Sequence, residues 1–219
     1  MKRKFPFELG IIDFNGTLQN DLRVTLKAAR ETFTRLTGTC PILTEDSFKR
    51  EITLRAGDFF KKYGVSEDRR TEGDAIRKEC FRRYPNDQLL SPGAKEALVE
   101  LFPHIKLAIA SGEIHGFVRE RLEHLGVSDF FEIIKDGVHD KKSAFKEILH
   151  AYSIGATKTF CLDDGPEGIV AANALGMFSI AFVHNGSYCF EERIFSAKPD
   201  IVIRSLSELI PALENFTPR

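Results

Sequence analysis

The stretch Leu9-Gly10-Ile11-Ile12-Asp13-Phe14-Asn15-Gly16-Thr17-Leu18 decides how the rest of the chain is interpreted. Its apolar beginning is short and is followed by turn residues, which is typical of a buried parallel strand. Such a strand delivers Asp13 to its carboxyl end, where open α/β sheets bind their ligands. Asp13 is therefore a candidate catalytic residue. The alternative is a β-hairpin turn at Asn15-Gly16. It is less favoured because residues 17–21 do not alternate as a second strand would.

Length and charge limit the function classes. At 219 residues the chain can form one sizeable core plus an inserted or appended lobe. It has 31 Lys and Arg against 32 Asp and Glu, a formal net charge of -1, so we expect no broad positive field and no nucleic-acid partner. A small anionic substrate is compatible with this balance, because one site can still be locally positive.

The cysteines and the apolar segments indicate the cellular compartment. The four cysteines, at positions 40, 80, 161 and 189, are too far apart for the close pairs of zinc or redox sites, so we expect mostly buried thiols. No stretch approaches the roughly 20 apolar residues of a membrane span. The basic N-terminus is not followed by the apolar region of a signal peptide. We expect a cytoplasmic protein with no membrane partner, and the sequence is silent on oligomeric state.

The sequence pattern predicts that residues 20–89 form a helical insertion. Apolar residues recur there at helical spacing, and no convincing strand interrupts residues 20–85. Tyr84-Pro85-Asn86-Asp87 and Ser91-Pro92-Gly93 then punctuate the chain, as expected where it leaves one lobe and enters another. We predict an α/β core domain of residues 1–19 and 90–219 and a helical cap domain of residues 20–89.

From Pro92 onward, strand and helix patterns alternate. Predicted strands cover residues 106–110, 131–134, 159–162, 178–183 and 201–203, and predicted helices cover 94–102, 114–125, 143–152, 168–175 and 205–213. This alternation implies right-handed crossovers and a mostly parallel sheet covered on both faces. The predicted fold class is α/β, a Rossmann-like three-layer core with an inserted all-helical cap.

Ser111 and Gly112 come directly after the predicted strand 106–110 and before a predicted helix. A hydroxyl group and backbone N–H groups at the start of a helix form a natural phosphate cradle. The simpler interpretation, that Ser111 only caps the helix, stays open.

Charged residues mark two further loops. Asp163, Asp164 and Glu167 follow the strand 159–162 within five residues, and they would repel one another unless a hard cation or a lysine lay among them. Lys141 and Lys142 precede the helix 143–152. Either lysine can neutralise phosphoryl oxygens and hold a neighbouring carboxylate, although exposed lysines are also common.

The order of these groups resembles the haloacid dehalogenase-like (HAD) hydrolase superfamily over nearly the whole chain. The family's first motif is Asp-x-Asp-x-Thr, and here Asn15 replaces the second Asp. The insertion is similar to the helical cap of the phosphoglycolate phosphatase-like and β-phosphoglucomutase-like branch. The matching positions, in motif order, are Asp13, Ser111, Lys141 or Lys142, and the acidic group Asp163, Asp164 and Glu167.

The resemblance implies a Mg2+-dependent phosphatase that acts on a small phosphorylated metabolite through an aspartyl-phosphate. Asp13 is the implied nucleophile, and Lys141 or Lys142 is the implied catalytic lysine. The implied metal ligands are Asp13, the backbone carbonyl of Asn15, and the acidic residues Asp163, Asp164 and Glu167. The implied phosphate-binding residues are Gly16, Thr17, Ser111 and Gly112.

Asn15 is the main departure from the family's pattern. In the phosphatases, the second Asp protonates the leaving group and then activates water, and an amide can do neither. The alternatives are phosphonate cleavage with a cap lysine (Lys49, Lys61 or Lys62), a phosphosugar mutase, or a catalytically weak binding module. Arg55 is a further candidate for contacting the substrate.

Overall fold

The computed structural model describes residues 5–41, 43–52 and 56–216. Its core is a six-stranded parallel sheet with the strand order β5-β4-β1-β6-β7-β8. The six strands are β1 Leu9–Ile12, β4 Lys106–Ala110, β5 Ile133–Lys135, β6 Thr159–Asp163, β7 Phe178–Phe182 and β8 Ile201–Ile203. The predicted Rossmann-like α/β fold is confirmed.

Strand β1 lies at the centre of the sheet, between β4 and β6. Ile12 pairs with Ile109 on one side and with Leu162 on the other. All four residues of β1 are buried, as expected for a strand covered by helices on both faces. Because parallel strands end at the same edge, Asp13 meets the residues that follow β4 and β6.

Six helices belong to the core: α5 Ala94–Leu101, α6 Phe117–His124, α7 Lys141–Tyr152, α8 Pro166–Leu175, α9 Glu191–Ser196 and α10 Leu209–Glu214. Apolar residues from the two faces of the sheet form separate clusters under these helices. The helix predicted from residue 143 begins at Lys141, where the Asp140 side chain accepts a hydrogen bond from the Lys142 N–H. The helix predicted from residue 114 begins at Phe117.

Four helices lie between the two halves of the core: α1 Leu22–Thr37, α2 Glu45–Glu51, α3 Ala56–Lys62 and α4 Arg70–Arg83. Helix α1 buries the apolar stripe expected from its spacing and packs against α4. Phe33 lies at the centre of an aromatic cluster, 5.8 Å from Phe59 and 5.2 Å from Phe60 between ring centroids. These four helices are called the cap below.

A short antiparallel ribbon joins the cap to the core. Strand β2 Gln19–Asn20 pairs with β3 Leu89–Leu90. The loop after Asp13 is tight, since the Gln19 N–H donates to the Phe14 carbonyl at 2.9 Å. It does not form the hairpin weighed above, however, because β2 pairs with β3 rather than with β1.

Two further sequence expectations can be compared with the structure. Cys80, Cys161 and Cys189 are buried free thiols, and Cys40 is exposed. In the described part of the chain, no helix is both long enough and apolar enough to cross a membrane.

Candidate active site

Asp13 follows β1, and its side chain contacts Lys141. The Lys141 ammonium lies 2.5 Å from Asp13 Oδ1 and 3.0 Å from Asp163 Oδ2. It also donates to the Ala110 carbonyl at 2.6 Å, at the end of β4. The lysine is buried, and its pKa stays raised because the attraction of Asp13 and Asp163 outweighs the cost of burial. Lys141 therefore ties three strand ends together as a fixed cation.

The structure brings Lys141, and not Lys142, to Asp13. Lys142 is exposed, and its backbone N–H donates to the Asp140 carboxylate at 3.0 Å. Successive residues of an α-helix point about 100° apart, so only one of two adjacent lysines can face the sheet. The position at which α7 begins therefore places Lys141, rather than Lys142, against Asp13.

Three carboxylates lie together at this edge of the sheet. Asp13, Asp163 and Asp164 are buried, and each offers an oxygen atom within 4.8 Å of the others. Burial, reinforced by the charge of Asp163 and opposed by that of Lys141, raises the pKa of Asp13 to about 7. Burial, followed by the charges of Asp13 and Asp163, also holds the pKa of Asp164 well above its usual range. One ammonium thus leaves part of this negative charge uncompensated.

Glu167 lies outside this group of three carboxylates. It is in the first turn of α8, with Oε1 3.9 Å from the Arg193 guanidinium and its side chain 37% exposed. It lines the same cavity as Asp13, so it borders the cluster rather than joining it.

Two glycines allow the carboxylates to approach the backbone. Gly16 has a φ of +74°, and a Cβ there would overlap the Asp164 carboxylate. A Cβ on Gly168 would overlap the Asp163 carboxylate. Thr17, which is fully buried, donates its hydroxyl to Asp164 Oδ1 at 2.8 Å and accepts from the Asp164 N–H at 3.0 Å. Gly16 and Thr17 therefore hold Asp164 in place, and the Thr17 side chain is engaged there.

Ser111 and Gly112 border the cavity above Asp13. The Ser111 hydroxyl donates to Asn15 Oδ1 at 3.2 Å and accepts from the Glu113 N–H at the same distance. Helix α6 begins only at Phe117, after Gly116 as its N-cap. Ser111 consequently belongs to a loop that lines the cavity, and it does not cap the helix.

The family follows from comparison with known proteins. A family model of haloacid dehalogenase-like hydrolases matches residues 11–182, from β1 to β7. The chain belongs to this family. The match includes Asp13, Ser111, Lys141 and Asp163, the residues that the structure gathers at one edge of the sheet.

Curated members of the haloacid dehalogenase-like family resemble the chain over part of their length. The phosphoglycolate phosphatase of Yersinia pestis is 28% identical over an alignment of 131 residues that covers 52% of this chain and 56% of that protein. That of Escherichia coli K12 is 25% identical over an alignment of 155 residues that covers 63% of this chain and 58% of that protein. The chain thus matches between 56% and 58% of the length of these two relatives.

Solved structures share the whole fold. A predicted phosphatase from Clostridium acetobutylicum superposes with a TM-score of 0.81 at 15% identity, covering 96% of this chain and 99% of that one. A predicted phosphoglycolate phosphatase from Haemophilus somnus gives 0.76 at 18% identity, covering 94% and 98%. At these identities the likeness establishes the fold.

Asn15, the departure from the family's first motif, is fixed by a polar network. Its Nδ2 donates to Asp21 Oδ2 at 2.7 Å and to Glu113 Oε2 at 3.0 Å. Its Oδ1 accepts from Ser111. Because both neighbouring carboxylates accept hydrogen bonds and Ser111 can donate one, the orientation of the amide follows from its partners.

Sequence reasoning missed the charged residues around this amide. Arg121 is 3% exposed and lies 2.5 Å from Asp21 Oδ2 and 2.6 Å from Glu113 Oε2. Arg77, in the cap helix α4, lies 3.1 Å from Glu113 Oε1. Burial would raise the pKa of Glu113, but Arg77 and Arg121 hold it below its usual value. In the sequence, these charged residues were indicated only by Glu113, which follows Ser111 by two residues in the loop after β4.

The cavity above Asp13 has a volume of about 120 Å³ and a mostly apolar cap wall. Ala29, Phe48, Ile52 and Phe60 form that wall, and Arg77 and Arg193 border it. Phosphonate cleavage, one of the alternatives that the resemblance leaves open, would use a lysine from the cap.

None of the cap lysines proposed for that role borders the cavity. Lys49 binds the Asn185 carbonyl and pairs with Glu45, and Lys61 and Lys62 are exposed. Arg55, the other proposed contact, lies outside the described residues.

Proposed function

We propose that this protein is a Mg2+-dependent phosphatase that acts on a small phosphorylated metabolite through an aspartyl-phosphate on Asp13. The observation that carries the proposal is the contact of Asp13 with Lys141, beside two further carboxylates at the floor of the cavity. Membership of the haloacid dehalogenase-like hydrolases and similarity to phosphoglycolate phosphatases support the same reaction.

The residues at the site fit a hard divalent cation. Carboxylate oxygens are the ligands that Mg2+ prefers, and Asp13, Asp163 and Asp164 offer three of them within 4.8 Å. Asp163 Oδ2 is buried and accepts no hydrogen bond from the described residues, although Lys141 is 3.0 Å away. Asp13, Asp163, Asp164 and the Asn15 carbonyl are the proposed ligands, with Glu167 at the border. A bound Mg2+ would offset the repulsion between the anionic nucleophile and the anionic substrate.

Asp13 is the proposed nucleophile. Its carboxylate oxygen attacks phosphorus in line, and the electron pair of the bond that breaks leaves with the departing oxygen. Lys141 holds Asp13 Oδ1 at 2.5 Å and so fixes the direction of attack. Water then attacks phosphorus, which releases phosphate and restores the carboxylate. Ser111 and Gly112, at the cavity wall, are positioned to bind the transferring oxygens.

The test is hydrolysis of p-nitrophenyl phosphate by the wild-type chain, with and without Mg2+. We expect metal-dependent release of phosphate that Asp13→Asn abolishes and that the matched, exposed Asp129→Asn leaves unchanged. Acid-quenched protein should carry a phosphoryl group that is absent from Asp13→Asn. Hydrolysis that persists in Asp13→Asn, or that needs no metal, would contradict the proposal.

A further inference from the structure

The amide of Asn15 is held between two buried carboxylates. Asp21 Oδ2 and Glu113 Oε2 both accept from its Nδ2, at 2.7 and 3.0 Å. Arg121 lies between the same two carboxylates, and the Gly16 N–H and the Tyr188 hydroxyl complete the contacts of Asp21. An amide matches this position because it can donate to both acids while its oxygen accepts from Ser111.

We propose that this site is built to release a leaving group as an unprotonated anion, so that its substrates are phosphorylated compounds with a weakly basic leaving oxygen, such as acyl phosphates. The proposal rests on the proposed phosphatase function. It follows from the position of Asn15 and from the lack of a proton donor on the cap side of the cavity.

In-line attack by Asp13 expels the leaving group away from the core, toward the cap. Among the described residues that line the cavity, the titratable groups on that side are already engaged. Glu113 is an ionised partner of Arg77 and Arg121. The Tyr188 hydroxyl lies 3.0 Å from Asp21 Oδ1 and 2.6 Å from the Thr25 hydroxyl.

The remaining titratable groups of the cavity lie elsewhere. Asp163, Asp164 and Lys141 surround the nucleophile itself. Glu167 pairs with Arg193, and the Cys189 thiol donates to the Asp164 carbonyl at 3.3 Å. By sequence, the positions outside the described residues carry no Asp, Glu, His, Cys or Tyr side chain. On the cap side of the cavity, the described residues therefore offer no unengaged acid to protonate an alkoxide.

The cap side instead offers a positive charge and apolar surface. Arg77 borders the cavity with its guanidinium held by Glu113. A fixed guanidinium stabilises a departing anion without giving up its proton. Phe48, Ile52 and Phe60 form the wall beside it. A carboxylate or phenolate leaving group with a compact apolar body matches both features.

An Asp at position 15 would not repair the missing proton transfer. Its second oxygen would replace Asn15 Nδ2, at 2.7 Å from Asp21 and 3.0 Å from Glu113. Three carboxylates at this spacing repel one another and lose two hydrogen bonds. We therefore expect Asn15→Asp to lower activity.

The reaction balances without an acid. Asp13 forms a bond to phosphorus, the bond to the leaving oxygen breaks, and the electron pair departs as a carboxylate or phenolate. Water next attacks phosphorus, and its proton passes to the released phosphate or to solvent. An alkyl ester would have to expel a strongly basic alkoxide, so phosphoglycolate is expected to be a poor substrate.

The test measures kcat/KM of the wild-type chain with Mg2+ on a series of aryl phosphates, because this ratio reports the first phosphoryl transfer. We expect about a tenfold fall for each unit by which the pKa of the phenol rises, since no proton offsets the charge on the leaving oxygen. The kcat/KM for acetyl phosphate should exceed that for phosphoglycolate by at least about 10³-fold, because acetate is a far weaker base than an alkoxide.

The outcomes separate the two proposals. Mg2+-dependent hydrolysis that varies little with the pKa of the phenol would overturn the inference and leave the phosphatase proposal standing. No hydrolysis of any member would overturn both. The Asn15→Asp variant provides a second test. A rise of about 10²-fold in its kcat/KM for phosphoglycolate would mean that an acid functions at position 15 and would overturn the inference. A kcat/KM equal to or below that of the wild type supports the inference.

Discussion

Arg121→Ala is expected to destabilise the protein far more than the loss of an ordinary ion pair. Arg121 contacts the carboxylates of Asp21 and Glu113 at 2.5 and 2.6 Å, and all three side chains are at most 3% exposed. Its guanidinium also packs over the rings of Phe81 and Phe14, 4.4 and 4.7 Å from the ring centroids. The substitution would leave two buried carboxylates short of a counter-charge.

The expected loss follows from that burial. Breaking a buried ion pair by removing one partner costs about 3–5 kcal/mol, because the other charge stays uncompensated. The rings contribute a smaller amount, about 0.5–2 kcal/mol for a desolvated cation–π contact. For a chain of this size, each kcal/mol lowers the Tm by about 2–4 °C. We expect a fall in Tm of at least about 6 °C.

The chain offers a matched control. Arg82 and Glu120 form a bidentate pair of similar geometry, with both hydrogen bonds 2.8 Å long, but their side chains are 60% and 46% exposed. Exposed pairs contribute about 0–1 kcal/mol, so the free energy of unfolding of Arg82→Ala should be close to that of the wild type. Urea denaturation of both variants, with Arg121→Lys as an intermediate, measures the difference. A loss below about 1 kcal/mol for Arg121→Ala, or equal losses for the two alanine variants, would refute the reasoning.

Three further predictions concern the floor of the cavity. Lys141→Ala should lower kcat/KM for an aryl phosphate by at least about 10²-fold, since it removes a fixed charge, while Lys142→Ala stays at the wild-type value; equal effects would contradict the assignment of Lys141. Gly168→Ala places a methyl group against the Asp163 carboxylate and should cost about 1–3 kcal/mol in urea denaturation, whereas Gly155→Ala, with nothing within 4 Å, should not destabilise. Mg2+ at about 100 times its Kd should stabilise the fold by about 2.7 kcal/mol, seen as a rise in Tm that EDTA reverses. A rise that persists in Asp163→Asn would place the metal elsewhere.

Most of the fold was predictable because alternating strands and helices leave a strong local pattern. The ribbon of β2 and β3 was missed because two-residue strands are too short to show any periodicity. The start of α7 was also out of reach, since the Asp140 side chain sets it two residues before the predicted start at residue 143.

The active-site floor was predictable and the Asn15 network was not. Asp13, Ser111, Lys141 and Asp163 each lie at or near a strand end, which the sequence pattern marks. The partners of Asn15 carry no such mark. Asp21 occupies the N-cap position of α1, where an Asp ordinarily caps the helix, yet it makes no capping bond and contacts Asn15 instead. Glu113 is 98 positions away from Asn15 and meets it only through the tertiary fold, as does Arg121 when it pairs with Asp21 and Glu113.

The same network joins the chemistry to the position of the cap. Glu113 accepts from Arg121 of helix α6 and from Arg77 of the cap helix α4, so it is a shared partner of both helices. A movement of the cap away from the core would break the contact between Arg77 and Glu113. The Arg77 guanidinium would leave the cavity, and the buried Glu113 carboxylate would keep only Arg121 as a counter-charge. An Asp at position 15 would place a further negative charge beside the Glu113 carboxylate and weaken the contact between Arg77 and Glu113. The amide at Asn15 and the contact of Glu113 with Arg77 are therefore linked through one carboxylate, and a change to either of them acts on the other.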